Sequence, residues 1–128
     1  MAEASSVEIE LNSQPSAAAE ARAALDPLRS AIAADTHDDL RLVVSELVTN
    51  SVIHGPGAPI RLSLVIEDNG NVRGEIEDEG DGPFDKSGTM AVEGGRAAGG
   101  YGLRIVDALT QRWGVYEDST HVWFELAG

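Results

Sequence analysis

Ser45-Glu-Leu-Val-Thr-Asn-Ser-Val-Ile-His54 is the stretch on which the reading of this chain turns. It forms the second half of a helix expected to begin near Thr36 or His37 and to stop at Gly55-Pro-Gly. Leu40, Val43, Val44, Leu47 and Val48 recur at helical spacing and make one apolar stripe. Glu46 and Asn50 are four residues apart, so they share a face about one turn from each other. That face borders the stripe, which leaves a carboxylate and an amide half-buried and in need of partners. A hard cation with phosphate oxygens would suit them. Ordinary helix-surface residues would also explain the pair.

Working outward, Thr36 is a candidate cap, and the acids of Asp35-Thr-His-Asp-Asp suit a helix N-terminus. Upstream, Val7, Ile9 and Leu11 alternate with polar residues and predict a short strand. Asn12-Ser-Gln-Pro turns the chain, with Ser13 or Ser16 as cap of an alanine-rich helical segment from Ala17 to Ala34. Pro27 should break it into two pieces meeting near Asp26, with Leu25, Leu28 and Ile32 on the apolar side. Downstream, Ile60, Leu62, Leu64 and Ile66 predict a second strand. Asp68-Asn-Gly-Asn makes a tight turn, and Val72, Gly74 and Ile76 continue a third strand, completing an antiparallel hairpin. A helix is expected over Tyr101 to Arg112, with Leu103, Val106 and Leu109 inside. Two closing strands follow at Gly114–Glu117 and Val122–Leu126, joined at Asp118-Ser-Thr. Trp123 alternates away from Val122 and Phe124, which places it on the second sheet face or at a packed edge. The predicted architecture is α+β, a two-layer sandwich with a mostly antiparallel sheet of four or five strands and helices on one face, in a single domain over 1–128.

Composition narrows the function. The 128 residues carry 22 acidic and 9 basic side chains, a formal net charge of −13. Such a chain repels phosphate backbones, which argues against direct nucleic-acid binding. There is no cysteine, hence no disulfide framework, thiol nucleophile or cysteine–zinc site. His37, His54 and His121 have no metal spacing. No apolar run is long enough to span a bilayer, and Met1–Ser6 lacks the pattern of a secretory signal. A cytoplasmic location, away from membranes, is expected.

Two further stretches carry chemistry. Asp78-Glu-Gly-Asp-Gly82 ends the third strand, and alternation puts Asp78 on its apolar side, where a carboxylate needs a hydrogen-bond donor. The exocyclic amine of a purine is one such donor, and Gly80 and Gly82 allow a flat ligand close approach. A plain turn would use the same residues. Gly99-Gly-Tyr-Gly-Leu-Arg104 opens the next helix, where backbone N–H groups make an anion site; a glycine hinge is the alternative. Between them, Pro83 to Gly100 is glycine-rich and aperiodic, the composition of a functional or disordered segment, and it is expected to be mobile.

In order and spacing, Glu46-Leu-Val-Thr-Asn50, Asp78-Glu-Gly-Asp-Gly82 and Gly100-Tyr-Gly102-Leu103 resemble the three boxes of the Bergerat-fold (GHKL-type) ATP-binding family. The resemblance covers nearly the whole chain. The form Glu-Leu-Val-Thr-Asn-Ser-Val-Ile-His and the closing Thr120-His-Val-Trp-Phe-Glu125 strand are most similar to stand-alone bacterial anti-sigma regulatory factors. A histidine-kinase dimerisation helix, a sensor region and a gyrase-type transducer domain are not expected within these 128 residues.

The resemblance implies ATP and Mg²⁺ as cofactors, with Asn50 as the metal-holding residue and Glu46 as the base for an incoming hydroxyl. It implies that Asp78 accepts from the adenine amino group, that Gly80 and Gly82 admit the base, and that Thr120 supports it. Gly100, Tyr101, Gly102 and Leu103 would line the phosphates. Kinases of this type bring a basic residue to the γ-phosphate. Ala98 and Gly99 supply none, so Arg96 is the nearest lid candidate, with Lys86 and Arg104 behind it. The implied function is an anti-sigma factor with serine/threonine-protein kinase activity, acting in transcription regulation. Its implied partners are a sigma factor, an anti-anti-sigma (STAS-type) protein or both; relatives often pair as homodimers, and the sequence leaves the oligomeric state open. The alternative is a catalytically weak nucleotide-binding switch that sequesters a protein partner; a third reading is a scaffold without nucleotide.

Overall fold

A computed structural model of the chain describes residues 5–54, 59–78, 101–116 and 121–128. Strands β1 (Ser5–Leu11), β2 (Ile60–Ile66), β3 (Val72–Asp78), β4 (Arg112–Val115) and β5 (Val122–Leu126) form one sheet in the order β1-β2-β3-β5-β4, every pairing antiparallel. Helices α1 (Ala17–Ala24), α2 (Ala34–His54) and α3 (Tyr101–Leu109) complete the second layer. The predicted α+β sandwich is therefore the observed one.

The β2–β3 hairpin shows why the register is unambiguous. Ile60, Leu62, Leu64 and Ile66 are buried and meet Asp78, Ile76, Gly74 and Val72 across the ladder. A slip of one residue would turn this entire set to solvent. The turn is closed by the Gly70 N–H donating to the Glu67 carbonyl (2.8 Å) and the Glu67 N–H donating to Asn71 (2.8 Å). Gly70 has φ 89°, a conformation in which a side chain is strained. On the helix side of the sheet, Phe124 lies over Gly74: a Cβ there would sit 2.3 Å from Cζ of the ring. A glycine inside a strand here marks close approach by a neighbouring side chain.

Across the opposite face run rows of polar side chains. Glu125 Oε1 accepts from Arg112 Nε at 3.0 Å and Nη2 at 2.7 Å, and Arg73 lies 3.5 Å from its other oxygen. Trp123 is on this face, opposite Glu75 and stacked against Gly114, whose missing side chain makes the space. Tyr116 donates to Glu75 (3.0 Å), and His121 pairs with the other oxygen of that carboxylate (2.9 Å).

Several sequence-based boundaries move. The second piece of the alanine-rich helix is only a 3-10 turn, Asp26–Leu28. Pro27 opens that turn, and the chain then has to bend back to start α2. Leu25 and Leu28 are buried as expected, with Ile32 packed against them. Helix α2 begins at Ala34, so Thr36 lies inside it, 8% exposed, and is not the cap. Ser16 stands at the α1 N-cap but makes no capping bond; its hydroxyl donates instead to Glu20 (2.9 Å). Helix α3 stops at Leu109 instead of Arg112, because the Gln111 N–H joins the sheet through the Glu125 carbonyl (2.7 Å). Strand β4 accordingly starts two residues earlier than the alternation suggested.

His37 ties the start of α2 to the end of α1. It is 2% exposed, and its Nε2 lies 3.0 Å from the carbonyl oxygen of Leu25. That carbonyl can only accept, so Nε2 carries the proton, and Nδ1 is left buried with no partner. His37→Ala should lower stability by about 2 kcal/mol, through a lost hydrogen bond and a cavity. The urea midpoint should fall with the slope unchanged. His37→Gln, which can still donate, should recover part of the loss; equal loss in both variants would assign the effect to packing alone.

Candidate functional site

Helix α2 packs against α1 on one hand and α3 on the other, and it also touches β3. The elements carrying the three predicted boxes thus meet around one helix. Leu40, Val43, Val44, Leu47 and Val48 are all buried toward the sheet, as their spacing predicts. Glu46 and Asn50 are half-buried at the margin of that stripe.

The side of α2 that faces α1 is marked by a hydrogen bond from the Arg22 guanidinium to the Ser45 hydroxyl. At 100° per residue, Glu46 and Asn50 point away from Ser45, on the flank that α1 leaves clear. Neither makes a side-chain hydrogen bond or ion pair among the described residues. A half-buried carboxylate and amide in this state take their hydrogen bonds from water or from a ligand.

Asp78 is the last residue of β3, paired with Ile60 and two residues beyond the last β3–β5 pair, Ile76–Val122. It shares the helix-facing side with Val72, Gly74 and Ile76, is half-buried, and has an interaction partner within the chain. Tyr101 opens α3, with Gly102 and Leu103 in its first turn and Arg104 exposed just behind. Val106 and Leu109 pack inward from this helix as expected. Gly80, Gly82, Arg96, Gly100 and Thr120, together with Lys86 and the glycine-rich segment expected to be mobile, lie outside the described residues, as do the turns at Gly55-Pro-Gly and Asp118-Ser-Thr.

Other clefts offer weaker chemistry. One of about 390 Å³ is lined by Glu67, Asn71, Arg73, Arg112 and Glu125. It sits at the Val72 end of β3, roughly 20 Å along the strand from Asp78, and its arginines are already paired with Glu125. Among the described residues no group of three or more histidines and carboxylates could hold a metal by itself. No helix among them is long and apolar enough to cross a membrane.

Residues 11–126 match the model of the histidine kinase-like ATPase domain. The chain belongs to that family. Membership implies an ATP site. No curated protein matches the chain. Among solved structures, the crystal structure of the RsbU and RsbW domains of Rv1364c from Mycobacterium tuberculosis is similar at a TM-score of 0.65 and 21% identity. The match covers 95% of this chain and 31% of that one. It supports the fold; the chain spans about a third of that protein.

Sequence reasoning missed two features of this ATPase domain. Arg22 engages Ser45, which no local pattern signals across 23 residues of sequence. Leu42 and Ile53, 47% and 65% exposed, stand on the outward side of α2; their helical phase relative to the buried stripe was the available signal.

Proposed function

We propose that this chain is an ATP-binding anti-sigma regulatory factor that transfers phosphate to a serine of an anti-anti-sigma (STAS-type) partner, and that binds a sigma factor in its other state. The observation that carries the reading is the unpartnered pair Glu46 and Asn50 on the α1-free flank of α2, the helix that also touches β3 and α3. In this reading the partner's hydroxyl oxygen attacks the γ-phosphorus of ATP, the bond from that phosphorus to the β-γ bridging oxygen breaks, and ADP leaves. Glu46 takes the proton released by the hydroxyl.

Asn50 fits a Mg²⁺ site. Its amide oxygen has no competing partner, and this ion is commonly held by one or two protein groups together with substrate phosphates. Such an ion would neutralise charge on the phosphates. Asp78 accepts from the adenine amino group, with Gly80, Gly82 and Thr120 around the base. Gly100, Tyr101, Gly102 and Leu103 receive the phosphates at the start of α3. Arg96 serves the γ-phosphate.

A second reading, a nucleotide-binding switch with little catalysis, is favoured by one observation. Arg22 is turned to Ser45, and the exposed Arg104 is the described cation nearest the glycine box. A phosphorylated product on a co-expressed partner separates the two readings.

Calorimetric titration with ADP and ATP, with and without Mg²⁺, tests the nucleotide site itself. Wild type should bind in the micromolar range with Mg²⁺. Asp78→Asn should weaken binding by about 10- to 100-fold, the worth of a hydrogen bond to a charged group. No heat at millimolar nucleotide would reject the reading.

A further inference from the structure

Among the described residues the exposed large apolar side chains are Leu42, Ile53, Val65 and Tyr116. Two of these four, Leu42 and Ile53, belong to α2, and their spacing of eleven residues is three full turns, so they project from one side about 16 Å apart. The helix buries its opposite side against the sheet, so this is its outward face. Asp35, Asp38 and Asp39 lie three to seven residues before Leu42, within reach of the same stripe. None of these three acids makes an ion pair among the described residues. The sole arginine of α2, Arg41, lies about 100° round from Leu42 and is half-buried.

The face thus combines two large exposed apolar side chains in one line with unpaired carboxylates on the N-terminal side of the first. Its complement is a helix with two apolar residues at matching spacing and lysines or arginines beside them. We propose that the outward face of α2 is a docking surface for a basic amphipathic helix of a protein partner, anchored by Leu42 and Ile53 and steered by Asp35, Asp38 and Asp39. Rim charges of this kind mainly raise the rate of encounter, while the apolar anchors hold the complex. This goes beyond the nucleotide reading and does not depend on it.

The probe is a synthetic lysine-rich amphipathic peptide of about 18 residues, long enough to hold a helix when bound, with two leucines spaced as Leu42 and Ile53 are. Its binding is followed by fluorescence anisotropy to wild type, to L42S/I53S and to Val65→Ser, an exposed apolar position on the far face of the sheet. L42S/I53S should weaken binding about tenfold or more, Val65→Ser should not, and a peptide with glutamine for lysine should bind far less well. No binding to wild type, or equal weakening in L42S/I53S and Val65→Ser, would overturn the proposal. So would self-association by sedimentation that L42S/I53S abolishes and the peptide does not displace, since the face would then belong to a second copy of the chain. ADP titration of the same proteins keeps the two readings apart: loss of nucleotide binding with peptide binding intact counts against the ATP site alone.

Discussion

Gly74→Val should destabilise the domain by about 3 kcal/mol or more, the upper end for forcing extra carbons into a packed core. The cause is local and specific. A Cβ at this position would lie 2.3 Å from Phe124 Cζ and 2.7 Å from Leu64 Cδ2. Phe124 is fully buried at the centre of the sheet, in the strand paired with β3, and its ring has nowhere to retreat. Valine favours strands by intrinsic preference, so propensity alone would forecast a gain. A melting midpoint lower by roughly 10 °C is the expected reading for a domain of this size. Combining Gly74→Val with Phe124→Leu, which shortens the offending ring, should restore part of the loss. An unchanged midpoint in the single variant would show that the Phe124 ring does not occupy the space above Gly74.

Glu46→Gln should lower phosphoryl transfer to a partner serine by about 10²- to 10⁴-fold, the usual contribution of a general base. Nucleotide affinity should change little, because the amide keeps the shape of the side chain and its hydrogen-bonding oxygen. That split, with kcat falling and nucleotide Kd preserved, is what the proposed role demands. A change confined to affinity would move Glu46 into the binding site instead. Transfer left intact would remove it from the reaction. Asn50→Ala is the complementary case: binding with Mg²⁺ should weaken while binding without it stays as it was.

The two effects differ in how far the chain itself announced them. The pairing of Glu46 with Asn50 is a local pattern, two residues one turn apart on the border of an apolar stripe, and helix geometry converts it into a shared face. The helix-facing placement of Asp78 was legible in the same way, from strand alternation. Gly74 was legible as part of a strand but not as a necessity, since the reason for it is a ring on β5, fifty residues away in the sequence.

What the amino-acid sequence determined by itself was the set of elements and their faces. Period two in β2 and β3, the helical stripe of α2 and the Asp68-Asn-Gly-Asn turn each follow from interactions within a few residues, and local geometry transmits them directly. The order of the three boxes also pointed to the family. Tertiary structure alone decided where the alanine-rich helix stops, that Thr36 is interior, that His37 bonds to Leu25, and that the Arg22–Ser45 contact sets which side of α2 faces α1. Those outcomes depend on which chain segment arrives at each face, and burial and hydrogen bonding between distant residues override local preference there.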